Sequence, residues 1–203
     1  MQRTRTYATT VGSQPVDLPL VQVSDDCTIA LLICVDLGVA FAETAGHELA
    51  ALLAPFRPEL VVSVATMGIP LAIEVSRASG LDDYVILHKT PKIHLGDSLS
   101  EPVRSITTAG RQTLRLDPGR AGVLRGRRVA VVDDVISSGA STAAALSLVR
   151  RAGADPVAVG VLMTEGRAWR DTLGADADRV VALGAVPVFR PSPDGEYLRP
   201  DWG

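Results

Sequence analysis

The stretch Val129–Thr142, VAVVDDVISSGAST, constrains this chain more than any other. Val129, Ala130, Val131 and Val132 form a short apolar run that reads as a buried parallel strand. Asp133 and Asp134 follow where that strand should end. The small, hydroxylic run Ser137-Ser138-Gly139-Ala140-Ser141-Thr142 then opens into the helix pattern Ala143–Arg151. A helix N-terminus offers unpaired backbone N–H groups and a partial positive charge, so a small loop there can wrap an anion. The hydroxyls of Ser137, Ser138, Ser141 and Thr142 add donors, and a side chain at Gly139 would crowd the cradle. The two carboxylates beside it can accept hydrogen bonds from a sugar diol. Adjacent acids at a buried strand end need partners or solvent, and an ordinary βα turn with a serine cap supplies none. A phosphate cradle with a diol clamp beside it suits a ribose 5-phosphate.

The pattern of strand, Gly-containing loop and helix occurs twice. Leu60–Ala65 reads as a second buried strand, running into Thr66-Met67-Gly68-Ile69-Pro70 and a helix from about Leu71 to Ser79. Pro70 suits an early helical position. A third short strand, Tyr84–His88, ends at Lys89 and Lys92, two cations that could meet a second anion. Before these units lie a strand at Thr28–Val35 and a helix at Phe41–Leu53, which Pro55 and Pro58 end. His47 on that helix is given no role. After the signature come Gly153 as a C-cap, a strand at Pro156–Thr164, a short helix or turn over Glu165–Thr172 and a last core strand at Arg179–Leu183. Strands alternate with helices, which implies an α/β, doubly wound and mostly parallel sheet with ligands at the C-terminal strand ends.

The order of parts in Val129–Thr142 resembles the phosphoribosyl diphosphate (PRPP) signature of the type I phosphoribosyltransferases, and VATMGIPLA (64–72) is similar to that family's diphosphate loop. The resemblance covers roughly residues 60–165 well and the two ends poorly. It implies that Asp133 and Asp134 are catalytic and take the ribose hydroxyls. It implies that Ser137, Ser138, Gly139, Ala140 and Ser141 hold the 5-phosphate, and that Thr66, Met67, Gly68, Lys89 and Lys92 meet the diphosphate. Val135 and Trp169 are the candidates to lie against a base, Trp169 by stacking. The implied cofactor is Mg²⁺, met by Asp133 and Asp134 through water and by no dedicated protein cage. The implied organisation is a single domain, 1–203, with a hood from about 1–40 and 164–203 and a flexible catalytic loop at about 93–119. Within that loop Ser105–Thr108 could pair with Gln112–Leu116, and Glu101, Arg104 and Arg111 are the charged candidates. A basic turn, Gly119–Arg128, follows it.

The implied activity is transfer of the phosphoribosyl group from PRPP to a purine, with adenine first and xanthine, guanine or hypoxanthine behind. Two alternatives stand beside it. One is the same chemistry on a non-standard heterocycle in a specialised pathway. The other is a non-catalytic PRPP-binding regulator, since the signature also resembles the effector domain of the purine repressor. That domain carries a winged helix for DNA, whereas here only 27 residues precede the first strand and the formal net charge is −3. An acidic chain gives no footprint for nucleic acid. Cys27 and Cys34 match no metal or disulfide pattern and read as buried thiols, on opposite faces if they share one strand. The start MQRTRTYATT lacks an apolar core, and the apolar runs are too short or too interrupted to span a bilayer. A cytoplasmic protein, without membrane or nucleic-acid partner and working as a homodimer, is the expectation. Residues 1–26 read as an extended arm with one edge strand, and the tail 186–203, with four prolines, as irregular but packed. The motifs exclude a P-loop, a G-x-G-x-x-G dinucleotide turn and an H-E-x-x-H zinc site. A receiver domain carries its paired acids near its first strand, and no phosphate cradle follows them there.

Overall fold

The computed structural model describes residues 5–90, 99–103, 112–194 and 197–203. Twelve strands and five α-helices follow in chain order: β1 (Thr6–Val11), β2 (Gln14–Ser24), β3 (Cys27–Ala30), α1 (Val39–Leu53), β4 (Leu60–Val64), α2 (Gly68–Ala78), β5 (Tyr84–Leu87), β6 (Leu99–Val103), β7 (Gln112–Leu116), α3 (Pro118–Leu124), β8 (Arg128–Ile136), α4 (Ala140–Arg151), β9 (Asp155–Glu165), α5 (Trp169–Leu173), β10 (Val180–Val186), β11 (Val188–Pro191) and β12 (Leu198–Asp201). The central sheet has the order β10-β9-β8-β4-β5, and every neighbouring pair in it is parallel.

Side chains alternate across this sheet as the two-residue strand period demands. Leu60, Val62, Val64, Val129 and Val131 pack on one face with Leu148 and Val149 of α4, Leu124 of α3 and Leu114 and Leu116 of β7. Val61, Ala130 and Val132 pack on the other with Leu49 and Leu53 of α1 and Leu71 and Val75 of α2. Strands covered on both faces must be apolar throughout, and β4 is buried at all five positions.

The chain leaves β4 through α2 toward β5, on one side, and leaves β8 through α4 toward β9, on the other. The strand order therefore reverses between β4 and β8. A crevice opens at such a switch point, beyond the C-terminal strand ends, where two connections diverge.

The two ends of the chain form a second sheet, ordered β1-β2-β3-β11-β12. This corrects the expectation of an extended arm with one edge strand and of an irregular, packed tail. β1 and β2 make an antiparallel hairpin, and β11 joins the N-terminal strand β3 at Phe189↔Thr28. Tyr7 meets Phe189 edge-to-face at 5.2 Å between ring centroids, tying first strand to penultimate one. The expected strand at Thr28–Val35 is cut short: β3 ends at Ala30, and Cys34–Leu37 is a 3₁₀ turn, so Cys27 and Cys34 do not share a strand.

Three further boundaries differ from expectation. β8 continues through both acids to Ile136, because β9 keeps pairing with it as far as Ile136↔Thr164. The Gly119–Arg128 segment contains α3, where Asp117 caps the N-terminus by accepting from the Gly119 N–H at 2.8 Å and Pro118 takes the first helical position. β7 pairs with β6 at 99–103, not with Ser105–Thr108, which lies outside the described residues. No helix among the described residues is long and apolar enough to cross a membrane.

Candidate active site

β4 pairs with β8 only as far as Ser63↔Val132, then turns into the 65–68 loop. Asp133 and Asp134 therefore stand on β8 just past the point where its β4 neighbour leaves, in the crevice of the switch point. The turning loop comes down onto them. A β-carbon added at Gly68 would lie 2.1 Å from Ser63 Oγ and 2.9 Å from Asp133 Oδ1, so only glycine lets α2 begin this close to the strand tips. The peptide bond Ala65–Thr66 in this loop is cis. The Cys34 thiol donates to the Met67 carbonyl at 3.1 Å and anchors the loop from the opposite side. Burial, and after it the charges of Asp134 and Asp133, raises that thiol to about 11, so it remains a neutral donor.

The two acids perturb each other. Burial first, and the charge of Asp134 next, pushes the Asp133 carboxyl well above the usual carboxylate range. Burial also raises Asp134. The Asp134 N–H donates to Asp133 Oδ1 at 3.1 Å, and the Lys89 ammonium favours the ionised form of both. Lys89 is thus brought to the acids from the end of β5. Its backbone is held by Arg115, whose guanidinium donates to the Lys89 carbonyl at 3.3 Å. These paired carboxylates have hard oxygens and a repulsion that Lys89 offsets only in part, which fits a divalent cation. Among the described residues no three His, Cys, Asp or Glu side chains cluster, and a Mg²⁺ carried on a substrate diphosphate needs no such cluster.

After Ile136 the chain turns through Ser137, Ser138 and Gly139 into α4. No side chain caps the α4 N-terminus from Gly139. The Ala140 N–H reaches Ser138 Oγ only at 3.4 Å. Ser137 and Ser138 are exposed, Ser141 half-buried and Ala140 buried. Gly139 is required for a reason the sequence did not suggest. Its φ is +78°, and an added β-carbon would lie 3.1 Å from the Trp169 carbonyl oxygen and 3.2 Å from Thr172 Cβ. The crowding comes from α5 underneath, not from the cradle above.

Trp169 belongs to that support. It is 3% exposed, packed in the core and donates Nε1–H to the Gly166 carbonyl at 3.1 Å. Its ring is taken up by the protein, which corrects the expectation that it stacks on a base. Glu101 is also spoken for: it accepts from Arg151 at 2.7 Å. Arg151 ends α4, about 16 Å along the helix from Ala140 at 1.5 Å per residue. Lys92, Arg104 and Arg111 lie outside the described residues.

Above the acids, between the second sheet and β8–β9, is a cavity of about 610 Å³. Ile29, Leu31, Leu32, Val135 and Val188 give it apolar walls, and Ser24, Cys27, Asp134, Ser137 and Glu165 supply its polar groups. Asp134 and Val135 are neighbours on β8 and both line this cavity, so it opens directly beside the acid pair. Glu165, the last residue of β9, was not singled out by the sequence reading, which placed it at the start of the expected helix or turn over Glu165–Thr172. It is 6% exposed and accepts a short hydrogen bond from the Ser137 hydroxyl. A charged residue ending an otherwise continuous buried strand was the available signal.

The phosphoribosyl transferase domain model matches residues 42–180, more than half of the chain. The chain is 28% identical over 156 residues to the xanthine phosphoribosyltransferase of Laribacter hongkongensis, covering 76% of this chain and 77% of that one. It is 35% identical over 95 residues to a hypoxanthine/guanine phosphoribosyltransferase of Methanococcus maripaludis, about half of each (47%). Its fold matches the crystal structure of adenine phosphoribosyltransferase from Thermoanaerobacter pseudethanolicus with a TM-score of 0.66 at 17% identity, over 89% of this chain and 95% of that one.

Proposed function

The chain belongs to the phosphoribosyl transferase family, and from that premise we propose that it transfers the 5-phosphoribosyl group of PRPP to a purine base, adenine, giving a nucleoside monophosphate and diphosphate. The observation that carries the reading is the convergence of two Gly-containing strand–helix loops on one acid pair: a β-carbon added at Gly68 of the first would lie 2.9 Å from Asp133 Oδ1, and the second opens directly after the same strand.

In this reading the α4 N-terminus with Ser137, Ser138, Gly139, Ala140 and Ser141 holds the 5-phosphate. Thr66, Met67, Gly68, Lys89 and Lys92 hold the diphosphate. Asp133 and Asp134 accept from the ribose hydroxyls. Cleavage at C1 builds positive charge on the ribose and negative charge on the departing diphosphate. The ionised acid pair favours the first, while the loop N–H groups and Lys89 favour the second. Fixing ribose at both ends also aligns C1 with the base. Mg²⁺, held through Asp133 and Asp134 and the substrate oxygens, would neutralise charge on the diphosphate. The cavity beside Asp134 takes the base, between the apolar walls of β2–β3 and β8. The second sheet is the hood of a single-domain enzyme, and the β6–β7 hairpin within residues 93–119 carries its catalytic loop. The apolar patch of Val35, Leu37, Val39 and Met67, exposed next to the diphosphate loop, supports a homodimer. The acidic chain gives no basic footprint for a nucleic-acid partner, and a cytoplasmic setting belongs to the same reading.

The test is diphosphate release from PRPP and Mg²⁺ with a panel of free bases. Adenine-dependent release is expected. Release with another heterocycle alone would reassign the acceptor, and no release with any base, with PRPP still bound, would favour a regulator.

A further inference from the structure

We propose that Glu165 selects the acceptor by accepting a hydrogen bond from an exocyclic amino group on the base. The proposal rests on the reading of the cavity as the base site and goes beyond it by naming the residue and the functional group it reads.

Among the described residues lining the cavity there is no lysine, arginine or histidine, and its ionisable oxygens belong to Asp134 and Glu165. Most of the remaining wall is aliphatic. A base edge that presents carbonyl oxygens finds few donors there and two carboxyl groups that repel it, whereas an amino group finds acceptors. Specificity of this kind is strong because a buried polar group left unpaired costs more than a misplaced methylene.

Glu165 is the carboxyl placed for the task. It ends β9, lines the cavity and is 6% exposed. Ser137 occupies Oε2 as donor, and among the described residues no donor is bonded to Oε1. The carboxyl is thus oriented by one hydrogen bond and has one oxygen left for a ligand. The same contact joins base selection to the phosphate cradle, since Ser137 belongs to the loop proposed for the 5-phosphate. Burial also raises the Glu165 carboxyl, which the Ser137 hydroxyl opposes.

The experiment uses nucleoside monophosphates, which fill cradle and cavity together and need no turnover. Calorimetry measures AMP against IMP, which differ by amino or oxo at C6, and GMP against IMP, which differ by an amino group at C2. Wild-type protein is expected to prefer the amino-bearing member of at least one pair by tenfold or more. Glu165→Gln keeps an acceptor for Ser137 and adds an amide donor, so it is expected to erase that preference or invert it toward IMP. Binding of ribose 5-phosphate alone, measured in parallel, reports whether the cradle of the variant is intact. If neither pair is distinguished by wild type, or if Glu165→Gln keeps the wild-type ratio with an intact cradle, the assignment is overturned. A variant with a damaged cradle would be replaced by Glu165→Asp, expected to retain the sign of the preference while lowering it, and an unchanged ratio there also counts against the assignment. A protein that discriminates the monophosphates but releases no diphosphate would keep this inference and lose the proposed activity.

Discussion

Asp133 sits where its ionised form is disfavoured by burial and by Asp134, and function in the proposed reaction needs that form. The direction of the shift fixes a pH dependence. A carboxyl raised in the folded protein above its ordinary value of 3.8 holds a proton that the unfolded chain has released, so folding stability falls as pH rises above that value. Asp133→Asn removes the penalty. The free variant should melt higher than wild type at pH 8, with the difference vanishing near pH 4, while its affinity for PRPP falls at least tenfold. Thermal melts across pH, with and without PRPP, check both halves. Ser63 gives a second residue-scale expectation. Its hydroxyl is fully buried beneath Gly68 and has no hydrogen-bond partner among the described residues. Ser63→Ala should be neutral or stabilising by up to about 1 kcal/mol in denaturant unfolding, because it deletes an unsatisfied polar group without opening a large cavity. Gly68→Ala should do the reverse, costing about 1–3 kcal/mol through overpacking and weakening PRPP binding by displacing Asp133.

At the scale of elements, the short helix α5 acts as the platform of the loop between β8 and α4, through Trp169 and Thr172 against Gly139. Trp169→Ala should therefore cost about 3–5 kcal/mol of stability, as a large aromatic lost from a core does. A variant that folds normally and only loses base affinity would contradict the buried placement. The elements legible in the sequence were those with a local signal. β4 and β8 are continuous apolar runs, and the loop after each is marked by glycine and a helix start. The position of the acid pair and of the loop after it was legible for the same reason. What escaped depends on partners far along the chain. β1 and β2 carry threonines, prolines and alternating polar residues, and their sheet is completed by β11, more than 150 residues later in the sequence. Trp169 showed an aromatic near the site but not that Gly139 covers it. Glu165 became visible only when β9 was seen to run one residue past its apolar stretch.

For the whole molecule, the switch point between β4 and β8 opens the crevice that holds the two acids, and the sheet built from both chain ends covers the cavity beside it. The core supplies a fixed crevice, and the hood strands meet it across a cavity of about 610 Å³. Ligand binding at this junction should stabilise the whole fold by mass action, by about 2.7 kcal/mol at a ligand concentration one hundred times Kd. The most direct measurement is a calorimetric titration of PRPP with Mg²⁺ into wild-type protein and into Asp133→Asn/Asp134→Asn. Saturable one-to-one binding to the wild type, weakened at least a hundredfold in a double variant that remains folded, is the predicted result. Unchanged affinity in that variant would contradict the assignment of the β8 acids and the loop after them as the ribose-phosphate site.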